Sequence, residues 1–175
     1  MNRILTLSLL IAVGATLGLA QNPPLSPPEQ TSVTINGKTL TIKYSAPSMR
    51  GRKIFGASGA LQPDNTVWRA GANEATAFHT DADLDMNGLS VPKGDYTLYV
   101  FLDPAGWKLI VNKQTGQWGT EYHQDRDLGR VAMHMSKPPS PIEKYKMTLS
   151  KTGGNKGSLQ LEWENVIATV PFTVK

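Results

Sequence analysis

The 175-residue chain contains no cysteine. That excludes disulfides, thiolate metal sites, a cysteine nucleophile and a lipid anchor on cysteine. Histidine is scarce too: His79, His123 and His134 form no His-Glu-x-x-His motif and no i, i+4 pair. No metal and no cofactor is therefore expected, since catalytic zinc needs several protein ligands brought together. Charged residues make up only 18%, with a net charge of +4. This moderately basic balance sets no function by itself. After Leu19 no apolar run approaches the length that spans a bilayer. No amphipathic helix of ordinary length can be traced.

What is present is a hydrophobic share of 39%, enough to exclude a disordered chain. Met1 to Ala20 carries Arg3, an apolar run from Ile4 to Leu19 and the small-residue end Gly18-Leu19-Ala20. These are the parts of a secretory signal peptide, and the run is short for a membrane anchor. The expectation is an extracytoplasmic protein, periplasmic or secreted, with no transmembrane segment after cleavage. Gln21 to Gln30 holds four prolines and reads as an extended Pro-rich tether. The alternative is an edge segment pinned to the domain. Residues 31–175 then form a single domain.

From Thr31 the apolar residues alternate with a period of two. Val33 and Ile35 lead into Asn36-Gly37, and Leu40, Ile42 and Tyr44 follow. Asn-Gly supplies the positive φ angles of a tight hairpin turn. A second such turn falls at Asn87-Gly88. Tyr96 to Leu102 is apolar on both faces and is predicted to be a central, doubly covered strand. Trp107 to Val111 returns after an Asp-Pro-Ala-Gly turn. Tyr145-Met147-Leu149, Leu159-Leu161-Trp163 and Val170-Phe172-Val174 continue the alternation. Thr120 to Leu128 has room for one or two helical turns. The fold class is all-β: an antiparallel β-sandwich or barrel-like jelly roll of about eight or nine strands.

Two long segments lack this periodicity, Pro47–Glu74 and Gln114–Arg130, and long aperiodic loops are where function concentrates. In the first, Arg50, Arg52 and Lys53 could bind an anion or simply form a solvated turn. One basic triplet without stacking platforms gives no case for nucleic acid. Gly56-Ala57-Ser58-Gly59-Ala60 lacks the final glycine of a nucleophile elbow and reads as a flexible loop. Trp68-Arg69-Ala70-Gly71-Ala72-Asn73-Glu74 gathers an indole, a guanidinium, an amide and a carboxylate. Arg69 and Glu74 could pair to fix the loop, or orient a polar ligand against Trp68. In the second segment Trp118, Tyr122, His123 and Asp127 suit carbohydrate stacking and hydrogen bonding, or the capping of a sandwich end. Asp81, Asp83 and Asp85 suggest calcium, but Met86 and Pro92 stand at the loop positions that need Gly and Glu. A solvated strand face is the plainer reading.

Taken in order, four stretches resemble a bacterial family, domain of unknown function 2911. They are Tyr44–Gly56, Val67–Thr76, Pro92–Leu98, and Asn112-Lys113 with Gln117-Trp118-Gly119. The resemblance runs through nearly the whole chain after Thr31. It implies an exported bacterial β protein and supplies no settled reaction. Ala70 stands where many members would carry Thr.

The leading functional reading is a non-catalytic binding module for a small polar or anionic ligand, a glycan or an envelope component. Arg50, Arg52, Lys53 and Arg69 would supply charge, Trp68 and Trp118 stacking, and Asn73, Glu74, Tyr122, His123 and Asp127 polar contacts. One alternative is a hydrolase using Glu74, His123 and Asp127. The other is a purely structural envelope protein. Nothing in the sequence specifies an oligomeric state.

Overall fold

The computed structural model describes residues 24–175. The expected signal segment, residues 1–20, and positions 21–23 of the tether lie outside them. In chain order the strands are β1 (Pro28–Ile35), β2 (Lys38–Ser45), β3 (Phe55–Gly56), β4 (Gln62–Pro63), β5 (Val67–Trp68), β6 (Thr76–Thr80), β7 (Leu84–Met86) and β8 (Leu89–Val91). They continue as β9 (Gly94–Phe101), β10 (Lys108–Asn112), β11 (Asp127–Ala132), β12 (His134–Ser136), β13 (Ile142–Gly153), β14 (Lys156–Glu164) and β15 (Val166–Val174). One 3₁₀ turn, Gln124–Arg126, is the helical piece expected between Thr120 and Leu128. Nine strands have five residues or more. The additional strands are two- and three-residue pieces, of which β7 and β8 are the arms of the Asn87-Gly88 hairpin and the others are too short for periodicity to register.

The strands form two antiparallel sheets. One has the order β1-β2-β6-β9-β10-β11, with β5 also on β9. The other has the order β13-β14-β15-β7-β8, with β12 also on β15. A short parallel pair, β3 with β4, stands apart. Among the described residues no closed barrel forms, and the architecture is a sandwich. Both Asn-Gly turns are as expected, with φ of 52° and 76° at Asn36-Gly37 and 50° and 93° at Asn87-Gly88. Consecutive positive φ angles match the twist of the flanking strands.

The core lies between the sheets. Ile42, Phe78, Leu98, Val100, Leu109 and Val111 enter it from one side, and Met147, Leu159, Leu161, Val170 and Phe172 from the other. Each such burial contributes about 1.5–3 kcal/mol of transfer free energy. At one end the core becomes aromatic. Trp68 stacks on Trp163 with centroids 5.9 Å apart, and Tyr145, Phe55 and Trp107 close around them.

β9 is central and covered on both faces, as its composition predicts, but the second cover is a loop. Tyr99 and Ile110 point away from the main core and are still buried, beneath the segment after β10. On the other side of the first sheet, β1 and β13 run beside each other along a seam. The Met147 amide donates to Tyr44 Oη at 3.0 Å, and the Leu149 amide to Thr31 Oγ1 at 3.0 Å.

The described part of the expected tether is attached. Pro28 to Gln30 open β1, the Pro27 carbonyl accepts the Ala46 amide at 2.9 Å, and the Leu25 carbonyl accepts Arg50 Nη2 at 3.0 Å. Proline survives here because an edge strand leaves some of its amides without a ladder partner.

Candidate functional site

The segment from Val67 to Thr76 is wound tightly around two buried groups. Trp68, 2% exposed, donates its indole N–H to the Gly71 carbonyl at 3.3 Å. Thr76 donates its hydroxyl toward the Ala70 and Arg69 carbonyls at 2.9 and 3.1 Å. Ala70 and Asn73 both take positive φ, 50° and 58°. Two non-glycine residues in that region so close together indicate a loop whose shape is imposed by its packing. Gly71 is required for another reason: a Cβ there would lie 3.0 Å from the Ser45 carbonyl oxygen. The winding leaves Asn73 half-buried and Glu74 exposed.

The second loop meets the first here. Glu74 and Trp118 form an isolated antiparallel bridge, the Gly119 amide donates to the Asn73 carbonyl at 3.1 Å, and the Ala75 amide to that of Gln117 at 3.2 Å. Arg69 passes directly over Gly119. Beyond the bridge the loop crosses the outer face of the first sheet. Tyr122 packs edge-on against Tyr99 with centroids 5.0 Å apart. Asn112 donates to the His123 carbonyl and to Asp127 Oδ1, both at 2.9 Å.

Gln117 sits beneath this cover, 9% exposed. Its Nε2 donates to Tyr99 Oη at 3.1 Å and Thr97 Oγ1 at 3.3 Å. Those hydroxyls spend their own protons on the Glu121 and Gln114 carbonyls. The amide orientation is therefore dictated by its neighbours. It leaves Gln117 Oε1 buried and without a hydrogen-bond partner.

Gln117, Gly116 and Glu74 line one wall of an open groove of about 430 Å³ whose other wall is Gln30, Lys43 and Ser45. Lys43 lies opposite Gln30 on β1 and Ala77 on β6, so these three share the outer face. Trp118, 47% exposed, is the bridge partner of Glu74 and follows the groove-lining Gln117.

The expected site residues do not all gather here. Trp68 cannot stack on a ligand, because it is core: its ring is enclosed by Phe55, Trp107, Tyr145 and Trp163. Arg69 and Glu74 form no ion pair, and the guanidinium points at the Asn73 carbonyl at 3.4 Å. Asn73 donates to the Ser26 carbonyl at 3.4 Å and to Ser45 Oγ at 3.3 Å. The basic triplet is away from the groove. Arg52 donates to the Met49 and Ser48 carbonyls, Arg50 to Leu25, and Lys53 lines a separate hollow with Phe55 and Glu164.

His123 lines a shallow polar hollow with Lys113, Gln114, Asp125 and Arg126 that shares no residue with the groove. Asp127 is fully engaged. Besides Asn112, it accepts Tyr122 Oη at 2.7 Å and the Arg130 guanidinium at 3.1 and 3.2 Å. Burial, and then the hydrogen bond to Asp127, push the Tyr122 hydroxyl up to about 12. Glu74, His123 and Asp127 are thus not assembled as an acid–base pair. Asp81, Asp83 and Asp85 also part company, accepting the amides of Thr39, Lys93 and Gly88 respectively. Among the described residues, no group of three or more His, Cys, Asp or Glu side chains is placed to hold a metal ion. No helix among them is long and apolar enough to cross a membrane.

Sequence reasoning passed over Gln30, Lys43 and Ala77. Their signal was the outward register of β1, β2 and β6, legible once the strands are paired. Gln117 lay within the stretch that contains Trp118, but its role depends on two hydroxyls about twenty positions away.

No curated protein and no solved structure matches the chain. One family model does, described as "Protein of unknown function (DUF2911)", and the match covers residues 26–172. It contains both long loops and every long strand almost to its end, so the chain belongs to that family.

Proposed function

We propose that the protein is an exported, non-catalytic binding module for a hydroxyl-rich polar ligand, a glycan, held in the groove between β1–β2 and the Gly116–Trp118 segment. The observation that carries this reading is the groove's mixed polar lining, Gln30, Lys43 and Glu74, with the exposed Trp118 bridged to Glu74. An amide, an ammonium and a carboxylate together can exchange hydrogen bonds with sugar hydroxyls in both directions. Lys43 faces Glu74 across the groove, and the third charged residue of the lining, Glu29, is paired with Lys144. An exposed indole next to a carboxylate is suited to a sugar face with its hydroxyls at the edge.

The anionic version of the ligand has less support, because Arg50 and Arg52 are turned to backbone carbonyls. The hydrolase reading has less still, with Glu74 and His123 in separate hollows and Asp127 saturated.

A glycan array probed with the purified protein tests the proposal. Neutral glycans should be retained by the wild type, weakly or not at all by Trp118→Ala and Glu74→Gln, and normally by Arg52→Met. A cooperatively melting wild type that retains no glycan overturns it.

A further inference from the structure

The groove does not end at Lys43 and Ala77. A second hollow of about 290 Å³ shares both residues and continues along the same sheet face to Thr41, His79, Asp95 and Thr115. The two are joined over β6, whose outward side chains are Ala77 and His79, with Ala75 immediately before the strand. A floor of methyl groups lies between longer side chains, Lys43 on β2 and the loop Thr115 to Gln117 on the opposite side. From Ala75 to His79 the strand rises about 13 Å, at roughly 3.3 Å per residue.

We infer, resting on the binding reading above, that the ligand is an extended linear glycan lying along β6 across Ala77. One end is recognised at Glu74 and the other at the His79–Asp95 pair. A compact ligand would use one hollow and leave the other idle. The backbone of β6 is paired on both sides, by β2 and β9. An extended peptide, which depends on a free strand edge for its main-chain hydrogen bonds, would find no ladder here. A chain that brings hydroxyls along its length needs only side-chain partners, and the trough offers those at both ends. His79 is held in place for this by Asp95 at 2.8 Å and Asp81 at 3.1 Å.

The test is titration of single neutral sugars, and of linear oligomers of increasing length, into the wild type, Thr115→Trp and His79→Gln. The oligomer series is chosen from glycans retained on the array. Affinity should rise at least about tenfold between the single sugar and the longer members. Thr115→Trp, at an exposed position that lines only the second hollow, should melt like the wild type and lose that gain while still binding the single sugar. His79→Gln should weaken only the longer members. Equal affinity for single sugars and long chains overturns the inference while leaving the binding reading intact, as does long-chain binding unaffected by Thr115→Trp. Failure of every glycan to bind removes both.

Discussion

Gly119 lies so close under the Arg69 side chain that a Cβ on it would come within 2.4 Å of Arg69 Cδ and 2.7 Å of the Asn73 carbonyl oxygen. The two long loops touch backbone to backbone at this point, and the Gly119 amide completes the contact by donating to Asn73. Only glycine allows that approach, and the reason is space rather than dihedral freedom. Gly119→Ala should destabilise the protein by about 1–3 kcal/mol, the usual cost of overpacking a tight contact. It should also loosen Trp118 relative to Glu74. Chemical denaturation measures the first effect and Trp118 fluorescence anisotropy the second; an unchanged midpoint would show that the loops are not locked at this glycine.

Two tryptophans that look alike in sequence should behave in opposite ways. Trp68→Ala empties the centre of an aromatic cluster and should cost about 3–5 kcal/mol. Trp118→Ala removes a half-exposed ring and should shift stability by no more than about 0.5 kcal/mol. Denaturant melts of the two variants decide this. A Trp118→Ala protein as unstable as Trp68→Ala would mean that the exposed ring is structural.

Glu164 holds the first loop down from far away in the chain. Its carboxylate accepts the buried Ile54 amide at 3.0 Å and the Phe55 amide at 3.1 Å. Glu164→Ala strands both donors and should cost about 1–3 kcal/mol. Hydrogen exchange should accelerate at Ile54 and Phe55 more than in β9. Equal protection at those amides in both proteins would refute the anchoring role.

His79 should make stability depend on pH. Hydrogen bonds to Asp95, and then to Asp81, raise its pKa above 6.5. The contribution is therefore fully present below 6.5 and lost as pH rises through the folded value. Asp81 is lowered from 3.8, by the His79 hydrogen bond first and the Thr39 amide second. Its contribution is present above 3.8 and lost as pH falls through its folded value. The clamp is strongest between those limits. Melting temperatures should hold level between those limits, fall as pH rises above 6.5 for the wild type, and stay flatter there for His79→Gln. Parallel curves for the two would contradict this account.

How much of this was legible beforehand follows from the range of each interaction. Asn36-Gly37, Asn87-Gly88 and the two-sided apolar run from Tyr96 declare themselves through neighbouring residues, so the hairpins and the central strand can be read directly. Trp68 is as polar in its surroundings as Trp118 on paper. Its burial is decided by Tyr145 and Trp163, which arrive from the other sheet. The basic triplet gave the same difficulty, because its acceptors at Leu25, Ser48 and Met49 are backbone carbonyls that any sequence possesses. Of the expected site residues, the structure brings Glu74 and Trp118 side by side through a backbone bridge. Gln117 and Ala77 emerge only from register, since one needs the hydroxyls of Thr97 and Tyr99 and the other needs Lys43 as its cross-strand neighbour.

The seam where β1 runs beside β13 has a consequence for how copies of the molecule treat one another. Outermost strands with idle amides invite a stranger to dock and extend the sheet. Here the idle amides of Met147 and Leu149 are already occupied by the hydroxyls of Tyr44 and Thr31. An incoming chain would have to evict those stoppers before it could add a single rung. The fold thus carries its own guard against fibrous growth along this seam.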